Sequence, residues 1–429
     1  MKKIKYTIPM FSFYDRTGIQ NYLQTQAAKG WMLEKAGTYC WRFRRMEPRM
    51  LKFSVVYFPE ADLYDPAPGD GEQTFRELCE HSGWHFVGSQ AQMQIFYSES
   101  ENPVPIDTDP VIEVENIHKS MKKSALPSYW SMVGSSIIWI ANVILNWTTN
   151  PLRCLSSNLY LYFSIFWPSM ILLSAGRLIC YHRWRKKAKR AAAEGEFLES
   201  RGFARIEQLW LVLVTAGLVV CVFFGRSQVT SFGVIFGVVV ALGILVVEYI
   251  TRETLKKKGY NAAETKVKTI VITLSSVLVL SIIMAPITFN VVERMDDGRD
   301  RELYIELSDL VDVEYKTMVM EDTESILLGC QRVVHYTDQE GPITELQYQV
   351  IPVKAHFLYD LCLENAIQTN RYAMVPTDST PWGAIDAQVC LWEEELWGYL
   401  LCYEDYIVTV WPNWEMTEAQ MAMIGRIFN

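Results

Sequence analysis

The histidines of the stretch "HSGWH", His81 and His85, are four residues apart. On a continuous helix this spacing places two imidazoles on one face, where they can bind a metal ion. Gly83 and Trp84 lie between them, and a glycine after a helical run favours the left-handed conformation that ends a helix. We therefore predict that the helix ends between the two histidines, and we expect no metal site there.

Three arginines in "WRFRRM" are the next candidates for chemistry, because guanidinium groups bind anions. If this stretch is a strand, Arg42 and Arg44 share one face and Arg45 points to the other. The shared face either binds an anionic ligand or is simply solvated, and the solvated interpretation is favoured.

Enzymatic chemistry is not indicated by the remaining residues. The sequence contains no glycine-rich phosphate loop, no acid pair at a telling spacing and no nucleophile–base motif. We therefore expect a protein that is not an enzyme, with no catalytic residue, no cofactor and no bound metal. The residues proposed instead as a protein-contact surface are Trp31, Trp41, Arg42, Arg44 and Trp84. The alternative for the three tryptophans is a place in the hydrophobic core.

These residues belong to a pattern that occurs twice. The stretches "AAKGWMLEKAGTYCWRF" and "LCEHSGWHFVGSQAQMQIFY" each end a helix-like segment at a Gly-Trp pair and then alternate apolar with polar residues. Gly30 and Gly83 are expected to end helices in left-handed geometry. The order strand–helix–strand–strand, read twice, predicts an α+β domain over residues 1–115. Its two βαββ halves are expected to form a ferredoxin-like sandwich with the helices on one face of an antiparallel sheet.

The same residues resemble a known family. The aromatic–Asp opening at Phe13 and Asp15, both Gly-Trp steps and the late "QIFYSE" make residues 10–113 similar to domain of unknown function 2812 (DUF2812). Where members typically have an aromatic residue, this chain has Gln94. The resemblance implies a bacterial protein, common in Gram-positive genomes, whose chain often continues into membrane helices. It also implies a connection to a PadR-like transcriptional regulator, and it supplies no catalytic residue.

The charge of −9 is distributed very unevenly over the 429 residues. Residues 1–127 carry a net −1, residues 128–289 a net +10 and residues 290–429 a net −18. Such asymmetry predicts three segments with different surroundings.

The middle segment is predicted to cross a membrane. After a linker over residues 116–128, residues 129–289 contain five apolar runs near the ~20 residues that a transmembrane helix needs. The predicted crossings are about 129–147, 159–180, 209–225, 229–250 and 269–289.

The basic loops predict the orientation, because Lys and Arg are retained on the cytoplasmic side. "RWRKKAKR" follows the second run, and Lys256 to Lys258 follow the fourth. The N-terminus is therefore expected in the cytoplasm of a bacterial cell and the C-terminus outside its plasma membrane. Binding of anionic lipid or nucleic acid is the other interpretation of "RWRKKAKR". An orientation signal is favoured, and we expect no direct nucleic-acid binding.

Within the membrane segment, Gly233 and Gly237 are four residues apart and permit close helix approach. This approach occurs either within one chain or in a homodimer.

The acidic segment 290–429 is predicted to be an extracytoplasmic α+β domain. "WGYLLCYEDYIVTVWP" predicts a hairpin that turns at Glu404 and Asp405. Thr417 and Gln420 predict a capping box that begins a last helix. A Cys390–Cys402 disulfide on adjacent strands is one interpretation of its cysteines, and reduced buried thiols are the other.

Together these features predict a non-enzymatic membrane regulator or sensor. The outer acidic domain would register a ligand or condition, and the inner domain would bind a cytoplasmic protein, with the PadR-like regulator as the candidate. The alternative is an accessory or permease-like component for an amphipathic or toxic compound. A cavity lined by Asn142, Asn146 or Pro168 would favour that alternative.

Overall fold

A computed structural model describes residues 4–8, 11–37, 40–66, 68–200, 204–223, 228–296, 302–337, 345–369 and 373–429. Side-chain surroundings are described for these residues apart from 204–205, 222–234, 281 and 283–296. The chain forms two compact units. The N-terminal unit comprises Met1–Trp139, Phe166–Thr215 and Val240–Leu280. The C-terminal unit comprises Ile140–Ile165, Ala216–Val239 and Ser281–Asn429.

The N-terminal unit begins with a strand–helix–strand–strand order that occurs twice, as the sequence predicts. The first half is β1 (Ile4–Thr7), α1 (Arg16–Ala28), β2 (Trp31–Ala36) and β3 (Trp41–Arg45). The second half is β4 (Lys52–Tyr57), α2 (Asp70–His81), β5 (His85–Gln90) and β6 (Met93–Ser98). Each half forms its own antiparallel sheet, in the equivalent orders β1-β3-β2 and β4-β6-β5.

Local residues explain where the first helices begin and end. The Asp15 carboxylate accepts a hydrogen bond from the Gly18 N–H at 2.9 Å and caps α1. Gly30 and Gly83 follow α1 and α2 with φ of +78° and +81°, the left-handed geometry that glycine adopts without steric cost. The predicted helix-ending role of both glycines is confirmed.

The packing of the halves differs from the predicted single sheet with helices on one face. Val55 of β4 packs with α1 in the main core of the unit. Its neighbour Val56 packs with Cys79 of α2 in a second cluster. Because successive strand residues point to opposite faces, the two helices lie on opposite faces of the second sheet. The ferredoxin-like prediction is corrected accordingly: there are two three-stranded sheets, and α1 of the first half covers the sheet of the second.

A third helix, α3 (Pro110–Lys123), completes this core. The Asp109 carboxylate caps it by accepting from the Val111 N–H at 2.7 Å. Ile117 and Met121 are buried in the same core as α1 and β4. Residues 116–128, predicted as a linker, are therefore mostly helical and include core residues.

The helices of the predicted membrane segment are long. They are α4 (Ala125–Thr149), α6 (Asn158–Ala193), α7 (Ala204–Phe223), α8 (Gln228–Lys257) and α9 (Ala262–Asp296), with a short α5 (Pro151–Leu155) after α4. In the N-terminal unit, α6 and α7 are joined by an ion pair between Arg177 Nε and Glu207 Oε1 at 2.7 Å.

Within the described part of the chain, three helices rather than five are long and apolar enough to cross a membrane. They are Ala125–Thr149, Asn158–Ala193 and Ile235–Lys257. The apolar part of α7, Ile206–Cys221, is shorter than a full crossing. The fifth predicted crossing, 269–289, extends into residues 283–289, whose side chains lie outside the described part of the chain. The three helices are compatible with a membrane location.

The C-terminal unit contains an antiparallel sheet of seven strands. A one-turn helix, α10 (Leu307–Leu310), precedes the first strand of this sheet. The strands are β7 (Lys316–Glu324), β8 (Gly329–Tyr336), β9 (Glu345–Pro352), β10 (Ala373–Pro376), β11 (Asp386–Trp392), β12 (Glu395–Cys402) and β13 (Tyr406–Pro412). Their order in the sheet is β10-β11-β12-β13-β9-β8-β7. The hairpin β12–β13 turns at residues 403–405, as predicted.

Helices cover both faces of this sheet. Val350 packs with Ile424 of α12 (Glu418–Phe428) on one face. Its neighbour Ile351 packs with Cys362 of α11 (Tyr359–Thr369) on the other. The capping box is present: Thr417 N–H donates to Gln420 Oε1 at 2.9 Å, and the Gln420 N–H donates to the Thr417 hydroxyl.

Candidate functional site

Two of the predicted contact residues lie on the open face of the first sheet. Arg42 and Arg44 of β3 stand opposite Tyr6 and Ile4 of β1, and residues directly opposite in an antiparallel pair share a face. Tyr6 is 64% exposed and Ile4 46%. We call these four residues the open sheet face. Arg42 also forms an ion pair with Glu34, at 3.0 Å between Arg42 Nε and Glu34 Oε2.

The apolar half of this surface was missed by the sequence analysis. β1 is at the edge of its sheet, so its outward residues lack a neighbour on one side. The alternation of "IKYT" was a sufficient signal for a half-buried strand. The open sheet face combines two cations with two exposed apolar side chains, a composition suited to an acidic and partly apolar protein surface.

The three predicted tryptophans are in other surroundings. Trp41 is 1% exposed and Trp84 is 4% exposed, so neither is accessible to a partner, and both are core residues. The Trp84 indole N–H donates to the Val104 carbonyl at 2.7 Å. Trp31 is half-buried, and Arg45 covers its ring with Cζ 5.1 Å from the ring centroid. Of the predicted contact set, the structure therefore leaves Arg42 and Arg44 accessible and Trp31 partly so.

The histidines of "HSGWH" are separated by the end of α2. His81 is the last residue of the helix, and its Nδ1 lies 2.7 Å from the Glu77 carbonyl oxygen. His85 begins β5 and packs against Tyr97, with 5.1 Å between ring centroids. The two imidazoles therefore do not share a helix face.

Gln94, where this chain departs from the pattern of the family that it resembles, occupies a buried polar site. It is fully buried in β6, and its Nε2 donates to Glu72 Oε1 at 2.8 Å. Arg76 Nε donates to Gln94 Oε1 at 3.1 Å, and Arg76 also pairs with Glu72. Because each buried polar group has a partner, the network stabilises the packing of α2 on the second sheet.

The C-terminal unit contains a cleft of about 630 Å³ beside β12 and β13. We call it the aromatic–acid cleft, because its lining includes Glu345, Glu395, Trp397, Trp411, Trp414 and Glu415. All three carboxylate residues are exposed, and Trp397 is 49% exposed. Indole rings attract cations through the negative charge on their faces. Carboxylates around the rings add to that attraction, so the cleft has the chemistry to hold an organic cation.

Gly398 is required for the shape of this cleft. A Cβ added there would lie 2.5 Å from the Val410 carbonyl oxygen and 2.6 Å from Trp411 Cδ1. Only a glycine allows the Trp411 ring to approach the β12 backbone this closely. The cleft was missed by the sequence analysis, although Trp411 and Trp414 flank Pro412 and Asn413, a loop signal between aromatic residues.

The cysteines of the C-terminal unit are free thiols. Cys390 stands opposite Gly398, and Cys402 stands opposite Asp386. The two thiols are therefore several residue pairs apart along the β11–β12 ladder, and the suggested disulfide is not formed. Burial raises the pKa of Cys390 and of Cys402 to about 11, which keeps both thiols protonated near neutral pH.

One helix contributes residues to both units. Near its C-terminal end, α6 buries Tyr181 in the core of the N-terminal unit, where its ring centroid lies 5.3 Å from that of Tyr14. At its first turn, Asn158 Oδ1 accepts a hydrogen bond from the Ile326 N–H at 3.0 Å in the C-terminal unit. Leu161 packs there against the cluster beneath α11. The helix is continuous over its 36 residues.

Of the residues singled out in the predicted membrane segment, the structure describes the surroundings of Gly237, Asn142 and Asn146. A Cβ added at Gly237 would meet no atom within 4 Å, so the helix is open at that point. The surroundings of Gly233 lie outside the described part of the chain. Asn146 Nδ2 donates to the Asn142 carbonyl at 2.8 Å, so the two residues interact along one helix.

Residues 15–128 match the model of a family described as "Protein of unknown function (DUF2812)". The match agrees with the resemblance found in the sequence and extends it through α3 to the start of α4. No curated protein matches the chain. No solved structure matches it either.

Proposed function

Residues 15–128 belong to the DUF2812 family, and from this premise we propose that the chain is a non-enzymatic regulator or sensor in the bacterial plasma membrane. Its outer domain registers a ligand, and its N-terminal domain binds a cytoplasmic protein. The PadR-like regulator implied by the family resemblance is the candidate partner.

The observation that carries this proposal is α6. The helix packs through Tyr181 into the core around Tyr14 and, at its other end, hydrogen-bonds through Asn158 to the C-terminal unit. We propose that a change at one end of this 36-residue helix is transmitted to the other, with Pro168 as the point where the helix can bend.

The proposed orientation is supported by one contact within each unit between a membrane-segment connection and a domain. In the C-terminal unit, the Ser325 hydroxyl donates to the Leu155 carbonyl, so the weakly charged loop after α4 contacts the acidic domain. In the N-terminal unit, Lys256 Nζ donates to the Leu63 carbonyl at 3.0 Å, so the basic last turn of α8 contacts the N-terminal domain. This pairing is the one that the positive-inside rule predicts for an N-terminus in the cytoplasm.

The aromatic–acid cleft is the ligand site that we assign to the outer domain. Trp397, Trp411 and Trp414 provide rings, and the domain around them carries a net −18. Such a site favours an organic cation over an anion.

The open sheet face is the partner site that we assign to the N-terminal domain. Its Arg42 and Arg44 favour an acidic partner surface, and its Ile4 and Tyr6 supply apolar contact area.

The test uses the full-length chain, solubilised from its native membrane, and the purified PadR-like regulator of the same host. We expect the wild-type chain to bind the regulator and the variant Arg42→Glu/Arg44→Glu to lose at least tenfold in affinity. The control Lys29→Glu/Lys52→Glu makes the same change of charge at exposed lysines elsewhere in the domain and should bind as the wild type does. Failure of the wild-type chain to bind the regulator or any other cytoplasmic protein would exclude the proposed role.

A further inference from the structure

A second cleft, of about 580 Å³, lies between α3 and α6 in the N-terminal unit. Its walls are partly apolar, formed by Val111, Val114, Ala192 and Ala193. Its polar lining comprises four cations, one histidine and one carboxylate: Lys119, Lys122, Arg185, Lys189, His118 and Glu115. We call it the basic cleft. Its volume is in the range of small-molecule sites, which is roughly 300–1,000 Å³.

The cations of the basic cleft are mostly without counter-charges. Lys119 Nζ lies 3.1 Å from Glu115 Oε1. Lys122, Arg185 and Lys189 have no carboxylate partner within the described part of the chain. Like charges at this proximity repel one another, and an anion bound in the cleft would relieve that repulsion.

Arg185 provides an independent indication of a missing ligand. Its Nε is inaccessible to solvent and makes no hydrogen bond to any described residue. A buried donor without a partner costs free energy. The Arg185 side chain lines the basic cleft, and the terminal nitrogens of its guanidinium are further donors for an acceptor oxygen bound there.

His118, which also lines the basic cleft, is uncharged at neutral pH. Its Nδ1 lies 2.7 Å from the Tyr181 hydroxyl. Burial, together with the neighbouring charges of Arg185, Lys122 and Lys189, lowers the pKa of His118 to about 4. The imidazole therefore stays neutral near pH 7 and can donate or accept a hydrogen bond inside a positive field.

The position of the basic cleft favours a ligand at a membrane surface. Lys122 precedes the first candidate membrane helix, which begins at Ala125. Arg185 follows the apolar part of α6. Basic pockets at this level typically hold the phosphate groups of anionic lipids.

We propose that the basic cleft binds a phosphate group of an anionic ligand, with Arg185, Lys122 and Lys189 as its ligating cations. The favoured source is the headgroup of an anionic phospholipid, and a soluble phosphate compound shares the same chemistry. This site does not depend on the proposed signalling role.

The experiment titrates the full-length chain, in a neutral detergent, in two arms. One arm adds a short-chain phosphatidylglycerol, and the other adds pyrophosphate. Binding is followed by the shift in the midpoint of thermal unfolding. We expect saturable stabilisation by the lipid, with at least tenfold weaker binding of pyrophosphate. Equal binding in both arms would assign the site to a soluble phosphate compound and overturn the lipid assignment.

Paired variants separate a built site from general charge attraction. Arg185→Gln/Lys189→Gln should weaken lipid binding at least tenfold. Arg183→Gln/Lys187→Gln removes the same charge from exposed positions of the same helix that do not line the cleft and should change binding less than threefold. Equal losses in the two pairs, or no binding by the wild-type chain, would overturn the proposal. If the first pair does not fold, Lys122→Gln, at an exposed position, serves as the test.

Discussion

Gly30 and Gly83 hold the same place in the two halves of the N-terminal domain, yet their surroundings differ. Both have φ near +80°. A Cβ added at Gly30 would lie 2.8 Å from the Met46 carbonyl oxygen, whereas one added at Gly83 would meet no atom within 4 Å. Glycine is therefore required at position 30 for two reasons. Its backbone has a positive φ, and the Met46 carbonyl oxygen leaves no room for a Cβ.

This difference predicts unequal effects of alanine at the two positions. Gly83→Ala should destabilise the protein by about 1–2 kcal/mol, the cost of a left-handed conformation with a side chain. Gly30→Ala should cost clearly more, because β3 must also move. The measurement is the midpoint of thermal unfolding of each full-length variant in detergent. Equal losses would contradict the role given to the Met46 carbonyl.

Glu113 is a buried carboxyl at the start of α3. It is 5% exposed, and its Oε2 lies 2.7 Å from Arg16 Nη1. Burial raises the pKa of Glu113 to about 7, although Arg16 opposes this shift, and Asp107 reinforces it. In an unfolded chain the pKa would be near 4.5.

This raised pKa predicts a loss of stability as the pH increases. The folded state binds the proton more tightly than the unfolded state, so the stabilisation is complete below about pH 4.5 and is lost as the pH rises through about 7. The change is on the order of 3 kcal/mol. Thermal unfolding of Glu113→Gln between pH 4.5 and 7.5 should show a smaller decline than the wild type. Glu115→Gln, at an exposed position, should keep the wild-type decline.

At the scale of single elements, α12 depends on its first turn. Gln420 accepts from the Thr417 N–H and donates through Nε2 to the Leu310 carbonyl at 3.0 Å. The helix then buries Ile424 and Phe428 against the seven-stranded sheet. The cap thus positions a helix that closes one face of the core.

Removal of the cap should destabilise the C-terminal unit. Thr417→Ala should lower stability by about 1 kcal/mol, because the N-terminal amide groups of α12 lose an acceptor. Thr417→Ser retains the hydroxyl and should restore most of the loss. Thermal unfolding measures both variants, and an unchanged midpoint for Thr417→Ala would contradict the role of the cap.

Local patterns predicted most elements and little of their packing. The alternation in "ELQYQVIPVK" and the capping box before α12 are each contained within a few residues, so the sequence shows them directly. The packing of α1 on β4 depends on residues from different halves, and no local period encodes it. β7 was missed for a related reason, since its residues are largely exposed and alternate weakly.

The residues of a candidate site could be grouped from the sequence only where they lie in one strand. Arg42 and Arg44 are two residues apart, so the sequence places them on one face. The tryptophan of a Gly-Trp step is half-buried in one half and buried in the other, because the neighbouring elements differ. The basic cleft joins Lys122 to Arg185, residues far apart along the chain that only tertiary packing brings together.

At the scale of the whole molecule, the cysteines provide a test of orientation. Cys40 is exposed in the N-terminal domain, while Cys330, Cys362, Cys390 and Cys402 are buried. A thiol reagent that cannot cross membranes reaches only exposed thiols on its own side.

With the N-terminus in the cytoplasm, intact cells should leave Cys40 unlabelled, and permeabilised cells should label it. Asp378→Cys in a Cys40→Ser background places a thiol at a fully exposed position of the C-terminal domain, and intact cells should label it. Gel-shift detection of a maleimide reagent makes both measurements. Labelling of Cys40 in intact cells would reverse the orientation.

The packing of α1 on β4 also bears on whether one half of the domain could be stable alone. Neither half covers its own sheet completely, because the first helix lies on the second sheet and the linking residues 47–50 are exposed. A single copy of the repeat would therefore present an uncovered apolar face and would need a second copy to be stable. The duplicated domain therefore resembles a dimer whose two subunits are joined in one chain. Because the two copies lie in one chain, they need not be identical, and they differ accordingly: the first has the open sheet face and the second the buried Gln94.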